Sequence, residues 1–532
     1  MDPLATTPPT ASTWAWAWTQ FTQTVALIPG SKIVGRYIRN SYQNDPFRIV
    51  LEVCLLLFVV WYLLEKRYRI DHHEIPLSKQ EVDELIEDWK PEPLVPALSE
   101  WEREQMEETP VLVSEQGPRP RVEGVSQPVL NLVSYNFLGL AGVNDLKEHA
   151  VHTLRKYGVG ACGPPGFYGT LDVHKDLEKK LAEFIGSEEA IIYSQGLTTT
   201  LSVIPCFAKR GDILICDEAI NFSVQKSIQI SRSQIRYFKH NDMNDLERIL
   251  KEIEQEDQAT KRVVTRRFIV VEGLYVNTGD IVPLPDLIAL KKRYKYRLIL
   301  DESYSFGVLG SQGRGVTEHF QIPADEVDLL IGSMCNSLAS SGGFCAGGRE
   351  LMEHQRLSGL GYVFSASLPA ILAVYAIDGL DILASDQGKT VIRNVRDVSL
   401  QMYQGLQALV NTGALTVTGG NNQSPIIHIR FDRAWAQKTL PLPSDAQFPA
   451  NPRRPLPHAI RVELEKLLQS VVRETLTHHV LLGRAKYVVD QERSVPDPSI
   501  RICVTAAHSK EEVQEAAQVT CEAFRKVLKP YL

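Results

Sequence analysis

The sequence predicts an α/β fold with a mostly parallel central sheet, a smaller C-terminal α+β domain and an N-terminal transmembrane helix. Three observations carry that prediction. From Leu130 onward, short apolar runs rich in β-branched residues alternate with charged amphipathic stretches. Near residue 405 that alternation gives way to a different texture, and one long apolar run, Ile49 to Leu64, precedes both regions. A chain of 532 residues, 44% hydrophobic and 23% charged, is long enough for two or three domains with sizeable cores. Its formal net charge of −7 shows no basic excess and argues against nucleic acid as a partner. The eight cysteines are dispersed, with no CxxC pair and no zinc-ligand spacing, which implies reduced thiols and no metal site.

Taken in order, residues 1–95 form a membrane-associated region. No Lys or Arg precedes Lys32, so a cleaved signal peptide is not expected. The uncharged, aromatic stretch Trp14 to Ile28 suits a membrane interface, although it lacks the basic face usual for such helices. The run "IVLEVCLLLFVVWYLL" is apolar apart from Glu52 and a little short of the roughly 20 residues that span a bilayer. Phe47 and snorkelling Arg48, Lys66 and Arg67 extend it to a helix over about 48–66, with Trp61 and Tyr62 at interfacial depth. A buried core helix is the alternative. Basic residues on both flanks leave its orientation open. Residues 74–128 are acidic and proline-studded, a short helix ending before Pro91 and then a tether.

Residues 96–404 read as the large domain. Strands are expected at Ala190–Tyr193, Ile213–Cys216, Phe268–Val271, Arg297–Leu300 and Leu329–Ile331, with helices at Lys175–Phe184, Asn244–Glu254 and Leu284–Tyr294. Strands that alternate with helices need crossover connections, hence a parallel sheet. Residues 405–532 form the small domain, with strands at Pro425–Arg430 and Ile500–Val504 and helices at Ala459–Thr477 and Lys510–Val527. Within it, residues 434–458 are a proline-rich surface insertion, with six prolines from Pro441 to Pro457.

Each motif taken alone is a weak signal. "GVGACGPPGFYGT" (Gly158–Thr170) fits any tight loop, and Asp301 after "RLIL" fits any strand-end carboxylate. "IGSMCNSLASSGGFCAGG" (Ile331–Gly348) reads as a strand end followed by a small-residue loop. Their order is more specific. With "NLVSYNFLGL", "AIIYSQGLTTTLSVI", "GDILICDEAINFSV", "VVEGLYVNTGDIVPLP", "LILDESYSFGVLGSQGRG", "VFSASLPA" and "IRICVTAAHSKEEV" in sequence, the chain over roughly residues 95–532 resembles the α-oxoamine synthase family.

That resemblance implies a fold-type I pyridoxal-phosphate transferase architecture and the condensation of an amino acid with an acyl-CoA. It places Asp301 at the carboxylate that pairs with the cofactor's pyridine nitrogen, and Gly196-Leu197 at a Gly-aromatic pair near the phosphate. It also places Asn336 at the imine-forming lysine, Asn221 at the ring-stacking histidine and Tyr304 at a second histidine. An amide nitrogen is not a nucleophile, because its lone pair is delocalised into the carbonyl. The resemblance therefore implies no catalytic residue and no covalently bound cofactor in this chain. Pyridoxal phosphate would sit on a homologous catalytic partner subunit that condenses L-serine with palmitoyl-CoA, with small activating and regulatory membrane subunits alongside. It implies residence in the endoplasmic reticulum membrane with the globular part cytosolic. The loop residues Cys162, Gly163, Pro164, Gly166, Phe167, Tyr168 and Gly169 would form an interface that serves the partner's site in trans. There Cys162 would be small and buried, and Phe167 and Tyr168 would line an acyl-CoA path or pack a core. An active homodimeric synthase and a membrane scaffold with a dead cofactor fold are the alternatives.

Overall fold

The computed structural model describes residues 11–27, 29–44, 46–64, 77–91, 93–260, 265–420, 423–440, 448–449 and 454–531. The chain divides into two compact units, 1–104 and 105–532.

The first unit is helical: α1 (Ala11–Ala26), α2 (Ser31–Asn44), α3 (Pro46–Leu64) and a short helix over Lys79–Asp88. Ser78 starts the short helix with a capping box: its hydroxyl accepts from the Glu81 N–H, while the Glu81 carboxylate accepts from the Ser78 N–H at 2.7 Å. The expected helix before Pro91 is therefore present. Among the described residues no helix is long and apolar enough to cross a membrane. In α3 the Arg48–Glu52 pair, 3.0 Å apart, precedes an uncharged run from Val53 to Leu64. Lys66 and Arg67, which the sequence reading enlisted to lengthen it, lie outside the described residues.

The second unit is built on a seven-stranded sheet. Its strands are β1 (Glu189–Tyr193), β2 (Ile213–Asp217), β3 (Gln234–Phe238), β4 (Arg267–Glu272), β5 (Arg297–Asp301), β6 (Leu329–Ser333) and β7 (Gly343–Gly347), in the order β1-β7-β6-β5-β4-β2-β3. The neighbours from β6 through β3 run parallel, and β7 runs antiparallel to both β6 and β1. The run after Ile331 is thus a loop followed by a strand, not a loop throughout. Gly332 in β6 lies opposite Phe344 in β7, and a Cβ there would stand 2.2 Å from the Phe344 ring. Only glycine lets that aromatic lie flat across the sheet.

Strands β2, β4, β5 and β6 are buried nearly end to end, as parallel strands covered on both faces must be. Helices seal them by apolar stripes. The Asp172–Ile185 helix turns in Leu177, Leu181 and Ile185 and stops at Gly186, whose φ of +83° closes the last turn. A second core is organised on a four-stranded sheet, β10 (Gly483–Arg484), β11 (Ser499–Cys503), β9 (Ile426–Phe431) and β8 (Leu415–Gly419) in spatial order. Leu130 and Leu132 belong to this core, because Leu130–Asn131 pairs in parallel with Val480–Leu481. The 25-residue helix Asp386–Val410 joins the two cores, giving Ile392 and Val395 to the first and Met402, Leu406 and Leu409 to the second. Much of the proline-rich insertion, 441–447 and 450–453, lies outside the described residues.

Candidate functional site

In a parallel sheet the carboxyl ends of the strands open onto one edge, and functional groups collect there. Here β4 and β5 end in carboxylates held side by side, since Glu272 and Asp301 are register partners. Asn221 follows β2 and caps the Phe222–Ser231 helix, its side-chain oxygen accepting from the Val224 N–H at 3.1 Å. Its Nδ2 donates to Asp301 Oδ2 at 3.3 Å, and its backbone N–H donates to Glu272. The other Asp301 oxygen accepts from the Ser303 N–H at 2.9 Å. Asn336, in the loop after β6, donates from Nδ2 to the Ser303 carbonyl at 2.7 Å. Tyr304 stands edge-on to Tyr135 with ring centroids 5.2 Å apart, and the Arg501 guanidinium lies 4.6 Å from the Tyr135 centroid. The fold therefore gathers Asn221, Asp301, Tyr304 and Asn336, which are spread over 116 positions of sequence, into one neighbourhood.

A family model described as aminotransferase class I and II matches residues 127–519. Serine palmitoyltransferase 1 of Dictyostelium discoideum is 39% identical over 88% of this chain and 93% of its own length. Serine palmitoyltransferase 1 of Saccharomyces cerevisiae is 35% identical over 97% of this chain and 95% of its own. The chain belongs to the aminotransferase class I and II family, in its serine palmitoyltransferase 1 branch. The rice "long chain base biosynthesis protein 1b" is a further relative, 45% identical over 72% of this chain and 76% of its own. Among solved structures, a serine palmitoyltransferase of Sphingomonas wittichii superposes with a TM-score of 0.64 at 25% identity, covering 79% of this chain and 92% of that one. An 8-amino-7-oxononanoate synthase of Francisella tularensis shares the fold, with a TM-score of 0.55 at 19% identity over 76% of this chain and 99% of that one.

Members of this family are built around pyridoxal phosphate, and the donor set here can be tested against it. Covalent attachment needs an amine. The Asn336 amide is not one, its N–H is already given to a carbonyl, and among the described residues no lysine is a hydrogen-bond partner of Asn221, Asp301 or Asn336. Asn221, which the resemblance places at the ring-stacking position, is bonded through its amide to Asp301, which the resemblance places at the pyridine nitrogen. The residues present do not fit a covalently held cofactor. Among the described residues no cluster of His, Cys, Asp or Glu is arranged to hold a metal.

The carboxylates are electrostatically unusual. Burial pushes the Glu272 carboxyl well above the ordinary range, and the neighbouring Asp301 charge adds to it. Burial also raises Asp301, against the opposing hydrogen bonds from Ser303 and Asn221. Glu302 points away from this pair, accepting from the Val316 N–H at 3.0 Å and from Ser305, and burial raises it to about 7. Burial raises the Tyr304 and Tyr135 phenols as well.

The glycine-rich loop is elsewhere. Pro165–Gly169 forms a single wide helical turn, with the Gly169 N–H donating to the Pro164 carbonyl at 3.0 Å. A Cβ on Gly169 would stand 1.9 Å from the Gly163 carbonyl oxygen, and that oxygen also accepts from the Ser367 N–H at 2.9 Å. Pro165 and Thr170 line a small cavity with His174, Tyr193 and Ser194, just ahead of the Gly196–Phe207 helix. In this chain by itself Cys162 is exposed, with a φ of +58° just ahead of the turn. Phe167 and Tyr168 pack no core; they are 60% and 103% exposed. Among the described residues no hydrogen bond or ring contact joins the loop to Asn221, Asp301, Tyr304 or Asn336.

Sequence reasoning missed Glu272, Tyr135 and Arg501. A usable signal existed for Glu272, since "IVVE" repeats the pattern of "LILD", an apolar run ending in a carboxylate. Arg501 stands in the "IRICVTAAHS" block, but nothing local announces that a charge inside a buried strand meets an aromatic at position 135.

Proposed function

We propose that this chain is the non-catalytic subunit of serine palmitoyltransferase, acting in the synthesis of sphingolipid long-chain bases. Its partner is the second, catalytic long-chain-base subunit, which carries the pyridoxal phosphate and condenses L-serine with palmitoyl-CoA to 3-ketodihydrosphingosine. The observation that carries this reading is Asn336. The position that must supply an amine holds an amide whose N–H is donated to the Ser303 carbonyl at 2.7 Å. The loop of Cys162, Gly163, Pro164, Gly166, Phe167, Tyr168 and Gly169 is the part offered to the partner. A rigid turn with two exposed aromatics is a surface awaiting a neighbour, and prolines and glycines fix its shape before docking. Borohydride reduction followed by peptide mapping tests the reading, with co-purification of a catalytic homologue as its second arm. A reduced pyridoxyl adduct on a lysine of this chain overturns it.

The same reading places the chain in the endoplasmic reticulum membrane through α3, with residues 105–532 on the cytosolic side and small regulatory subunits nearby. Support comes from the exposure of α3: Leu55, Leu56, Phe58, Trp61 and Leu64 are 54–76% exposed, a ring of apolar side chains on every face of one helix. Pairing Arg48 with Glu52 at 3.0 Å lowers the cost of bringing both toward hydrocarbon. Deleting residues 1–65 should make the chain, expressed alone, extractable by carbonate; retention as an integral protein refutes α3 as the anchor.

A further inference from the structure

Helix α2 has no role in the reading above, yet its faces are sorted by chemistry. At 100° per residue, Ile33, Tyr37, Val34 and Ile38 occupy an arc of about 140°, while Arg39, Lys32 and Arg36 occupy a separate arc of about 60°. All four apolar side chains are open to solvent: Ile33 74%, Val34 57%, Tyr37 51% and Ile38 53% exposed. No Asp or Glu occurs between Asp2 and Asp45, and among the described residues none of the three cations has a salt-bridge partner. Arg48 donates to the Tyr37 hydroxyl at 2.9 Å, tying this helix to the first turn of α3. In the preceding α1, Trp16 and Trp18 are each 68% exposed, side chains that favour the membrane–water boundary.

We infer that α2 lies in the plane of the membrane surface and binds anionic phospholipid headgroups. Its Ile33–Val34–Tyr37–Ile38 face enters the boundary between headgroups and acyl chains, and Lys32, Arg36 and Arg39 meet the lipid phosphates. A lipid is the occupant the charges select. A stripe of cations without a neighbouring carboxylate complements a surface of phosphates, and an apolar face beside it complements the acyl region. The bond to Arg48 sets α2 where α3 meets the interface, so the inference rests on the membrane placement of α3.

The test uses the full-length chain in nanodiscs of phosphatidylcholine with phosphatidylserine. An environment-sensitive fluorescent amino acid replaces Ile38 in one variant and Gln43, which lies within the cationic arc, in another. Quenching by lipid-borne nitroxide is expected for the label at position 38 and not for that at 43. In a chain whose α3 is disabled by Leu56→Arg and Phe58→Arg, flotation with phosphatidylserine-containing vesicles should exceed that with pure phosphatidylcholine. The expected excess is on the order of a hundredfold, and Lys32→Glu, Arg36→Glu and Arg39→Glu together should abolish it. A wild-type chain that carbonate extracts refutes the placement of α3. A chain that stays integral while the label at 38 remains unquenched, or equal flotation with both vesicles, overturns the inference about α2 alone. Protection of the label at 38 from aqueous quencher without lipid quenching overturns it in favour of a protein partner.

Discussion

Glu302 offers a measurable consequence of the buried carboxylates. It is fully buried at the end of β5, and two glycines make room for it: a Cβ on Gly315 would stand 2.5 Å from the Glu302 carboxylate, and one on Gly273 2.7 Å from it. Burial raises its pKa from 4.5 to about 7, against hydrogen bonds from Ser305 and Val316. The folded-state value lies above the unfolded one, so between those pH values the native state binds more proton than the unfolded state. Stability from the protonated side chain is therefore fully present below about pH 4.5 and is lost as pH rises through about 7. Moving a carboxyl that far corresponds to about 3 kcal/mol. Glu302→Gln keeps the shape, can accept from Val316 with its oxygen and can donate to Ser305 with its amide, and does not ionise. Thermal unfolding followed by circular dichroism between pH 5 and pH 8 should show the variant gaining on the wild type as pH rises, by up to about 3 kcal/mol. Glu272 and Asp301 are displaced in the same direction and remain in both proteins, so the difference between the two curves isolates Glu302. Parallel curves across that range refute the reasoning.

Asn336→Lys should not restore synthase activity to the chain assayed alone, because Asn221 still stands where the resemblance places the stacking histidine and Tyr304 where it places the second; ketosphinganine formation by the single variant refutes this. Cys162→Trp should leave the melting temperature of the isolated chain unchanged, since Cys162 is exposed, while lowering turnover in the assembled complex; a destabilised isolated chain with normal complex kinetics argues that the loop is not at the interface. Gly169→Ala forces the Gly163 carbonyl to move, and should cost roughly 1–3 kcal/mol and disturb the turn that presents Phe167 and Tyr168. Unchanged unfolding of that variant would show the turn to be softer than its contacts indicate.

Much of the sheet was legible because its interior strands are buried on both faces, which writes an unbroken apolar run into the sequence: "ILIC", "FIVV", "RLIL" and "LLI" each mark a strand. The strands that escaped lack that signature for separate reasons. β3, "QIRYF", sits at the sheet edge with alternating exposure, so polar residues interrupt it. β7, "GFCAG", is glycine-rich where it crosses β6, and glycine carries no propensity for a strand. The helix Ala370–Ala384 is apolar on nearly every face, which erases the stripe that periodicity detects.

The site was legible in another way, through the ordered blocks and not through any local pattern. Asn221 and Asp301 lie 80 residues apart and share a hydrogen bond only because β2, β4 and β5 are neighbours in the sheet. Physical chemistry then explains what the blocks could not. A pyridine nitrogen would have given Asp301 a cationic partner, and without one a buried carboxylate needs other donors. Asn221 supplies them for two groups at once, its side-chain amide to Asp301 and its backbone N–H to Glu272, while its oxygen caps the helix that follows. Asn221 is thus a residue that holds both buried carboxylates, and Asp301 is held by the fold's own hydrogen bonds.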